Sequence, residues 1–186
     1  MKWFAPLPGF FQRLVSFARD RRGVSAVEFA MLLPLMVTLY LGAVEISQGV
    51  GVDRKVTLTT RTVADLASQV SSINNADMTN VLNASSSVIA PFDATKLKVT
   101  VSEVKIDASN LATIAWSDTL PGGTARAVGS TVILPQALNV ANTYLIWGEV
   151  SYTYRPAIGY VVTGTLNLSD QIYMRPRISD SVSRVP

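Results

Sequence analysis

RRGVSAVEFAMLLPLMVTLYLGAVE, residues 21–45, joins an apolar run to a single carboxylate near its beginning, Glu28. Residues 29–44 carry no charge, and residues 24–44 are interrupted by Glu28 alone. As an α-helix, residues 24–44 would span about 30 Å, which is the thickness of the hydrocarbon core of a bilayer. The stretch therefore predicts a transmembrane helix, which we place at residues 24–48.

Two other interpretations of this run are weaker. A helix in the core of a soluble protein would show a polar face, whereas only Thr38 and Tyr40 are polar within residues 29–44. A cleaved secretory signal has an apolar core of about 7–15 residues, which is shorter than this run, and Pro34 lies inside the run. We therefore expect a retained anchor. Pro34 is predicted either to kink the helix or to be tolerated as a membrane proline.

The excess positive charge of the chain belongs to its first segment. Residues 1–22 contain five basic residues and one acid, whereas the rest of the chain contains 11 basic and 12 acidic residues. A single-pass protein keeps its basic flank in the cytoplasm, so the C-terminal domain is predicted to be periplasmic or extracellular. Residues 1–23 form a basic cytoplasmic leader, either an amphipathic helix on the membrane or a disordered tail. Because the other basic residues are dispersed, no nucleic acid is expected as a partner.

The chain contains no cysteine and no histidine. Disulfides, thiolate nucleophiles and Ser-His-Asp triads are therefore excluded. The 13 acidic residues are scattered, and no run of alternating aspartates suggests a calcium loop. We expect a protein that is not an enzyme, with no catalytic residue, no metal site and no cofactor.

The stretch RRGVSAVEF, residues 21–29, resembles the processing site of prepilins. The resemblance implies that a prepilin peptidase cuts between Gly23 and Val24, and that Glu28 and Phe29 make subunit contacts. An ionised carboxylate in hydrocarbon costs about 3 kcal/mol or more, so it is usually retained where it has a partner. The new α-amino group on Val24 would be such a partner, in the same chain or in a neighbouring subunit. Alternatively, Glu28 is an anion that complements the positive end of the helix dipole.

Within the prepilins, the resemblance narrows to the TadE-like family, which comprises minor pilins or pseudopilins of tight-adherence (Flp-type) pili. The motif is G-x-x-x-V-E-F-A, then L-L-P, then G-x-x-E at the end of the apolar run. Its residues here are Gly23, Val27, Glu28, Phe29, Ala30, Leu32, Leu33, Pro34, Gly42 and Glu45. Residues 61–66, 147–156 and 173–177 are also similar to longer members. The resemblance is strongest over about residues 22–64.

Beyond the anchor, we predict a helical connector at residues 49–90. Apolar residues near helical spacing up to residue 73 either continue the anchor helix or form a second helix after Gly49 and Gly51. A short helix is predicted at residues 78–84.

Residues 91–186 are predicted to form an antiparallel β-rich domain. Alternation with a period of two predicts a first strand from residue 97 and further strands at residues 112–117, 144–154 and 165–174. One helical turn is expected at residues 135–138. In the first strand, Val104 and Ile106 are predicted to return to the face of Leu97, Val99 and Val101 after a β-bulge near residue 103. The fold class is α+β: a long N-terminal transmembrane helix followed by a small antiparallel sheet, pilin-like by resemblance.

Three tyrosines in the last strands, Tyr152, Tyr154 and Tyr173, have two interpretations. They are either an adhesive or ligand-binding surface or, as we favour, packing residues of the sheet.

The resemblance implies a non-catalytic pilus assembly protein in the bacterial inner membrane, involved in adhesion. Its expected partners are other pilins, pilus assembly proteins and the prepilin peptidase. A single-pass, membrane-tethered periplasmic binding or sensory domain that never enters a filament is the second hypothesis. A tethered hydrolase that uses serine with aspartate or lysine is the third hypothesis and the weakest, because histidine is absent.

Overall fold

The computed structural model describes residues 22–156, 158–159 and 163–186. The predicted leader helix or tail lies outside these described residues. The first element, α1, is one helix from Arg22 to Ser68, 47 residues and about 70 Å long. It passes through Gly49 and Gly51 without a break, so the connector continues the anchor helix. By length and composition, α1 can cross a membrane.

A second helix, α2, follows at Asn75–Ile89 and is longer than the predicted one. Its first turn is capped by Asn74, whose side-chain oxygen accepts a hydrogen bond from the Asp77 amide at 2.8 Å. Met78, Leu82 and Ile89 of α2 are buried in the main core, at about helical spacing.

The sheet has four strands in the order β3-β2-β4-β5, and all neighbours are antiparallel. The strands are β2 at Leu97–Ile106, β3 at Ala112–Thr119, β4 at Thr143–Tyr154 and β5 at Leu166–Met174. The predicted α+β fold with a long N-terminal apolar helix is confirmed. The helical turn predicted at residues 135–138 is a 3-10 turn, Gln136–Leu138.

A two-stranded parallel pair was not predicted. Strand β1, Ser72–Ile73, pairs with β6, Ser183–Arg184, and so joins the end of the chain to the loop after α1. A strand of two residues is too short to show alternation of polar and apolar residues, so the sequence pattern did not indicate β1 or β6.

The prediction that Val104 and Ile106 share a face with Leu97 is wrong. The register between β2 and β3 does shift between Glu103 and Val104, but β2 pairs with β4 without interruption. The extra residue is Ala115 in β3, since Glu103 faces Trp116 and Val104 faces Ile114. Side chains of β2 therefore alternate regularly, and Val104 and Ile106 point away from the face that Leu97 occupies.

The sheet consequently has two apolar faces. One face packs against α1 and α2 and forms the main core with residues such as Val56, Val63 and Ile146. The outer face carries a smaller cluster around Leu145 and Trp147, and the loop between β3 and β4 covers this cluster; the six buried members are Val104, Ile106, Ala112, Ile114, Leu145 and Trp147.

Candidate functional site

The first turns of α1 have no covering layer among the described residues. Apolar side chains from Val24 to Tyr40 are largely exposed, with Met31 at 77% and Tyr40 at 68%. Burial begins at Gly42 and Glu45, which lie on one helical face three residues apart. The bare, apolar part of α1 therefore ends between Leu41 and Val44.

Glu28 is exposed on this bare segment, together with Phe29. No hydrogen bond or ion pair joins Glu28 to another side chain in the described part of the chain. Val24 lies four residues earlier, so the two positions stack on the same helical face. A carboxylate at residue 28 is thus one turn from the backbone nitrogen of Val24 and within reach of any partner beside the helix.

Gly23 is helical, and a Cβ placed on it would have no heavy atom within 4 Å. Glycine in a helix costs about 1 kcal/mol relative to alanine. Nothing in the packing of the described residues requires glycine at this position.

The helix runs unbroken through Pro34, and the backbone does not unwind there. The Thr38 hydroxyl donates a hydrogen bond to the Pro34 carbonyl at 2.8 Å, within the helix. A kink at Pro34 stays a prediction.

Residues 147–156, whose similarity to longer family members stays a prediction, lie along α1. A Cβ on Gly148 would lie 3.0 Å from the Ala64 Cβ and 3.2 Å from the Thr60 carbonyl oxygen, so a side chain here would require the helix or the strand to shift by a few tenths of an ångström. Farther along β4, the Tyr154 ring lies 3.7 Å from where a Cβ on Gly49 would stand.

Buried tyrosines support the packing interpretation of this stretch. Tyr152 and Tyr154 are almost fully buried, and burial raises the pKa of the Tyr154 phenol, with the nearby charge of Glu45 adding to the effect. Glu45 itself is 2% exposed. Tyr173 is half-buried and stacks on Trp147 with the ring centroids 5.2 Å apart. The tyrosines therefore do not form an exposed adhesive surface.

Residues 61–66 and 173–177 meet at the end of α1. Arg177 Nη2 lies 2.5 Å from Asp65 Oδ1, and the Arg177 amide donates to the Ser68 carbonyl at 2.9 Å. Residues more than a hundred positions apart thus fasten β5 to the helix, a pairing that neither stretch indicates alone.

Sequence reasoning did not indicate the buried clamp that holds the C-terminal segment. Glu103 Oε1 accepts a hydrogen bond from the Val182 amide at 2.6 Å, and the Trp116 indole donates to the Val182 carbonyl at 2.7 Å. Glu103 and Trp116 are directly opposed on β2 and β3. Burial raises the pKa of Glu103 to about 6, although the hydrogen bond from Val182 acts in the opposite direction.

Arg184 completes the attachment of the C-terminal segment. Its guanidinium contacts Asp118 through Nε, at 2.9 Å, and Nη2, and it also bonds to the side chain of Asn75. Ionic pairing with Asp118 raises the pKa of Arg184 still further, so the guanidinium stays charged.

The outer face of the sheet carries a polar groove of about 850 Å³. Arg126 lies over the Trp147 ring at 3.8 Å and forms a two-point ion pair with Glu149, both bonds being 2.7 Å. The groove is lined mainly by hydroxyl, amide and charged residues, among them Lys98, Thr100, Ser151, Ser169 and Gln171.

A serine and a lysine spaced as S-x-x-K occur at residues 102–105 of β2. In a strand, positions three apart point to opposite faces, so Ser102 and Lys105 do not face each other. Ser102 is fully buried and bonds to Ser117 at 2.8 Å. A serine nucleophile must lie within hydrogen-bond distance of its base, and Ser102 and Lys105 do not meet this requirement.

Neither a search of curated proteins nor a search of solved structures finds a match for this chain. A family model described as TadE-like protein matches residues 23–65. This segment begins at Gly23, contains the bare helix with Glu28, and ends at Asp65, the partner of Arg177. Residues 23–65 are therefore a TadE-like segment, and the resemblance inferred from the sequence is confirmed there.

Proposed function

We propose that this protein is a non-catalytic assembly subunit, a minor pilin or pseudopilin, of a Tad (Flp) type IV pilus involved in adhesion. It is anchored in the bacterial inner membrane with its N-terminus in the cytoplasm and its sheet domain outside. The prepilin peptidase cuts it between Gly23 and Val24. The observation that carries the proposal is the bare apolar start of α1, with Glu28 exposed on it, inside a TadE-like segment.

In the proposed mechanism, helix α1 moves from contact with lipid to contact with the helices of other pilins. In the membrane, the exposed apolar side chains of residues 24–40 contact lipid. The helix leaves the bilayer only when it packs against the helices of other pilins, so that contact with partners replaces contact with lipid. Glu28 selects the partner and its register, because a carboxylate among apolar helices is tolerated only beside an amine.

The role of Glu28 is tested by co-purification with the pilin subunits of the same cells. We expect Glu28→Ala and Glu28→Gln to lose most of the co-purified pilin while their amount in the membrane fraction is unchanged. Asp53→Ala is the matched control, since Asp53 is an exposed carboxylate on the same helix outside the apolar run. If Glu28→Ala assembles and co-purifies like the wild type, the proposed mechanism fails.

Processing is tested by the N-terminal mass of the native protein. We expect a chain that begins at Val24 in cells with an active prepilin peptidase, and one that begins at Met1 in cells without it. Gly23 has no packing role among the described residues, which supports a requirement imposed by the peptidase. Intact Met1 in peptidase-positive cells would refute the cut.

A second candidate is a membrane-tethered binding domain that never enters a filament, and the polar groove on the outer face favours it. Fractionation of sheared surface filaments separates the two. Protein in the filament fraction supports the pilus subunit, whereas strict confinement to the inner membrane supports the binding domain.

A further inference from the structure

Helix α1 and strand β4 lie side by side with nearly parallel axes and opposite directions. Gly148 meets α1 at Ala64, and Tyr154 meets it at Gly49. The six-residue step along the strand covers about 20 Å. The fifteen-residue step along the helix covers about 22 Å. Because the two lengths agree, the C-terminal end of β4 points along α1 towards its bare apolar part.

The distance from this end of the sheet to the bilayer follows from the same geometry. Arg155 comes one strand residue after Tyr154, so it lies near the level of residue 47 of the helix. This level is about 5–9 Å from the end of the bare segment at residues 41–44, measured along the helix away from the bilayer. The headgroup layer of a leaflet is about 5–8 Å thick. Arg155 therefore lies at the height of the lipid headgroups of the leaflet from which α1 emerges.

Two exposed cations share a recess at this end of the sheet. Lys96 precedes Leu97, which pairs with Tyr152, so its backbone lies level with Thr153, about 7 Å farther from the bilayer than Arg155 and within the length of a lysine side chain. Both line a recess of about 480 Å³ whose other described lining residues are Pro156, Ile158, Gly159, Thr163 and Gly164.

The acidic groups near this recess reduce its positive charge without reversing it. Asp93 pairs with Lys96 at 4.0 Å and also accepts hydrogen bonds from the amide and the hydroxyl of Thr95, so its carboxylate offsets one of the two cations. Glu45 is buried under the sheet, 2% exposed. The exposed charge that faces the bilayer is therefore positive on balance, and Ile158, half exposed, adds an apolar side chain beside it.

We propose that this recess, with Lys96 and Arg155, binds the phosphate groups of anionic lipids and so holds the sheet domain against the membrane. Guanidinium and ammonium groups are natural donors to lipid phosphates. The binding concerns the membrane-anchored protein and requires only that α1 spans the bilayer, so it is independent of entry into a filament.

The test uses the full chain with Ile158→Cys as its single cysteine, since the native chain has none. A spin label on this cysteine reports its access to a water-soluble relaxation agent in reconstituted vesicles. We expect lower access in vesicles of phosphatidylcholine with phosphatidylglycerol than in vesicles of phosphatidylcholine alone.

Two double variants are compared, and each removes two exposed cations. One variant changes the end of the sheet near the membrane, and the other changes the opposite end. Lys96→Gln with Arg155→Gln should abolish the effect of lipid charge, because each cation near an anionic surface favours the docked state by about fivefold. Lys105→Gln with Arg175→Gln, at the far end, should leave it intact. Equal access of the label in both vesicle types, or equal loss in both double variants, would overturn the proposal.

Discussion

Glu103 lies in β2 against the C-terminal segment, where its carboxylate binds the Val182 amide, and 3% of the residue is exposed. Burial raises its pKa from the ordinary 4.5 to about 6. A carboxyl whose pKa is higher in the folded than in the unfolded state binds protons better when folded. Its contribution to stability is therefore fully present below pH 4.5 and is lost as the pH rises through 6.

We expect Glu103→Gln to remove this pH dependence. Through Glu103, the free energy of unfolding of the wild type should fall by about 2 kcal/mol between pH 4.5 and neutral pH. The glutamine does not titrate, and its side-chain oxygen can still accept the Val182 amide. Urea unfolding of the full chain in detergent, followed by tryptophan fluorescence, measures the difference. Asp53→Asn is the control, and identical pH curves for wild type and Glu103→Gln would contradict the prediction.

For single residues, the sequence could indicate a role only where the interacting residues are close together along the chain. Gly23 and Glu28 belong to one local motif, so their resemblance to a processing site can be read directly. Glu103 and Val182 are 79 residues apart, so the sequence around Glu103 does not indicate its partner. Its position in a strand between apolar residues was the available signal, but a phase slip assumed near residue 103 concealed which face it occupies.

Gly148 lets strand β4 lie close to helix α1, because glycine has no side chain between the two backbones. Its position opposite Ala64 and Thr60 sets the separation of helix and sheet. Alternation in β4 predicted the strand and its buried face, but the glycine in that face had no assigned role. The close approach of helix and strand at this point is thus made by a residue with no hydrophobic side chain.

We expect Gly148→Val to destabilise the protein by about 1–3 kcal/mol, because the branched side chain must push α1 away from the sheet. Gly49→Ala is the matched control: its Cβ meets the Tyr154 ring at an ordinary 3.7 Å, and alanine favours the helix. Urea unfolding in detergent compares the two. A valine variant as stable as the wild type would show that the contact can relax without cost.

The β-bulge illustrates a limit of reading elements from sequence. The pattern of β2 correctly indicated an irregularity near Glu103, and the register shift lies there. The extra residue belongs to the neighbouring strand, Ala115 of β3, and a pattern within one strand does not show which partner carries it. The consequence was an incorrect face for Val104 and Ile106.

For the molecule as a whole, one local signal predicted the architecture well. An apolar run followed by helical and then alternating periodicity indicated a long helix and an antiparallel sheet, and both are present. The attachment of the C-terminal segment was not predictable, since β6 has two residues and is held by long-range contacts to Ser71, Ile73 and Asp118. Domain boundaries at residues 23, 48 and 90 stay predictions.

Processing at Gly23 should change the charge of the entire protein. The full chain has a formal net charge of +3, whereas the residues from Val24 onward include 11 basic and 12 acidic ones. We expect protein from cells with the peptidase to focus at a clearly lower isoelectric point than protein from cells without it. Isoelectric focusing in detergent measures this, and the same focusing position in both cells would be incompatible with removal of the basic leader.

Helix α1 and strand β4 lie side by side in opposite directions, and this arrangement determines how the protein bears mechanical load. A pull between the N-terminal end of α1 and the sheet acts along their contact, in shear. The contacts at Tyr154, Gly148 and the Asp65–Arg177 ion pair are then loaded together instead of being peeled apart in turn. The domain is joined to its anchor by an attachment that resists tension along the helix far better than tension across it.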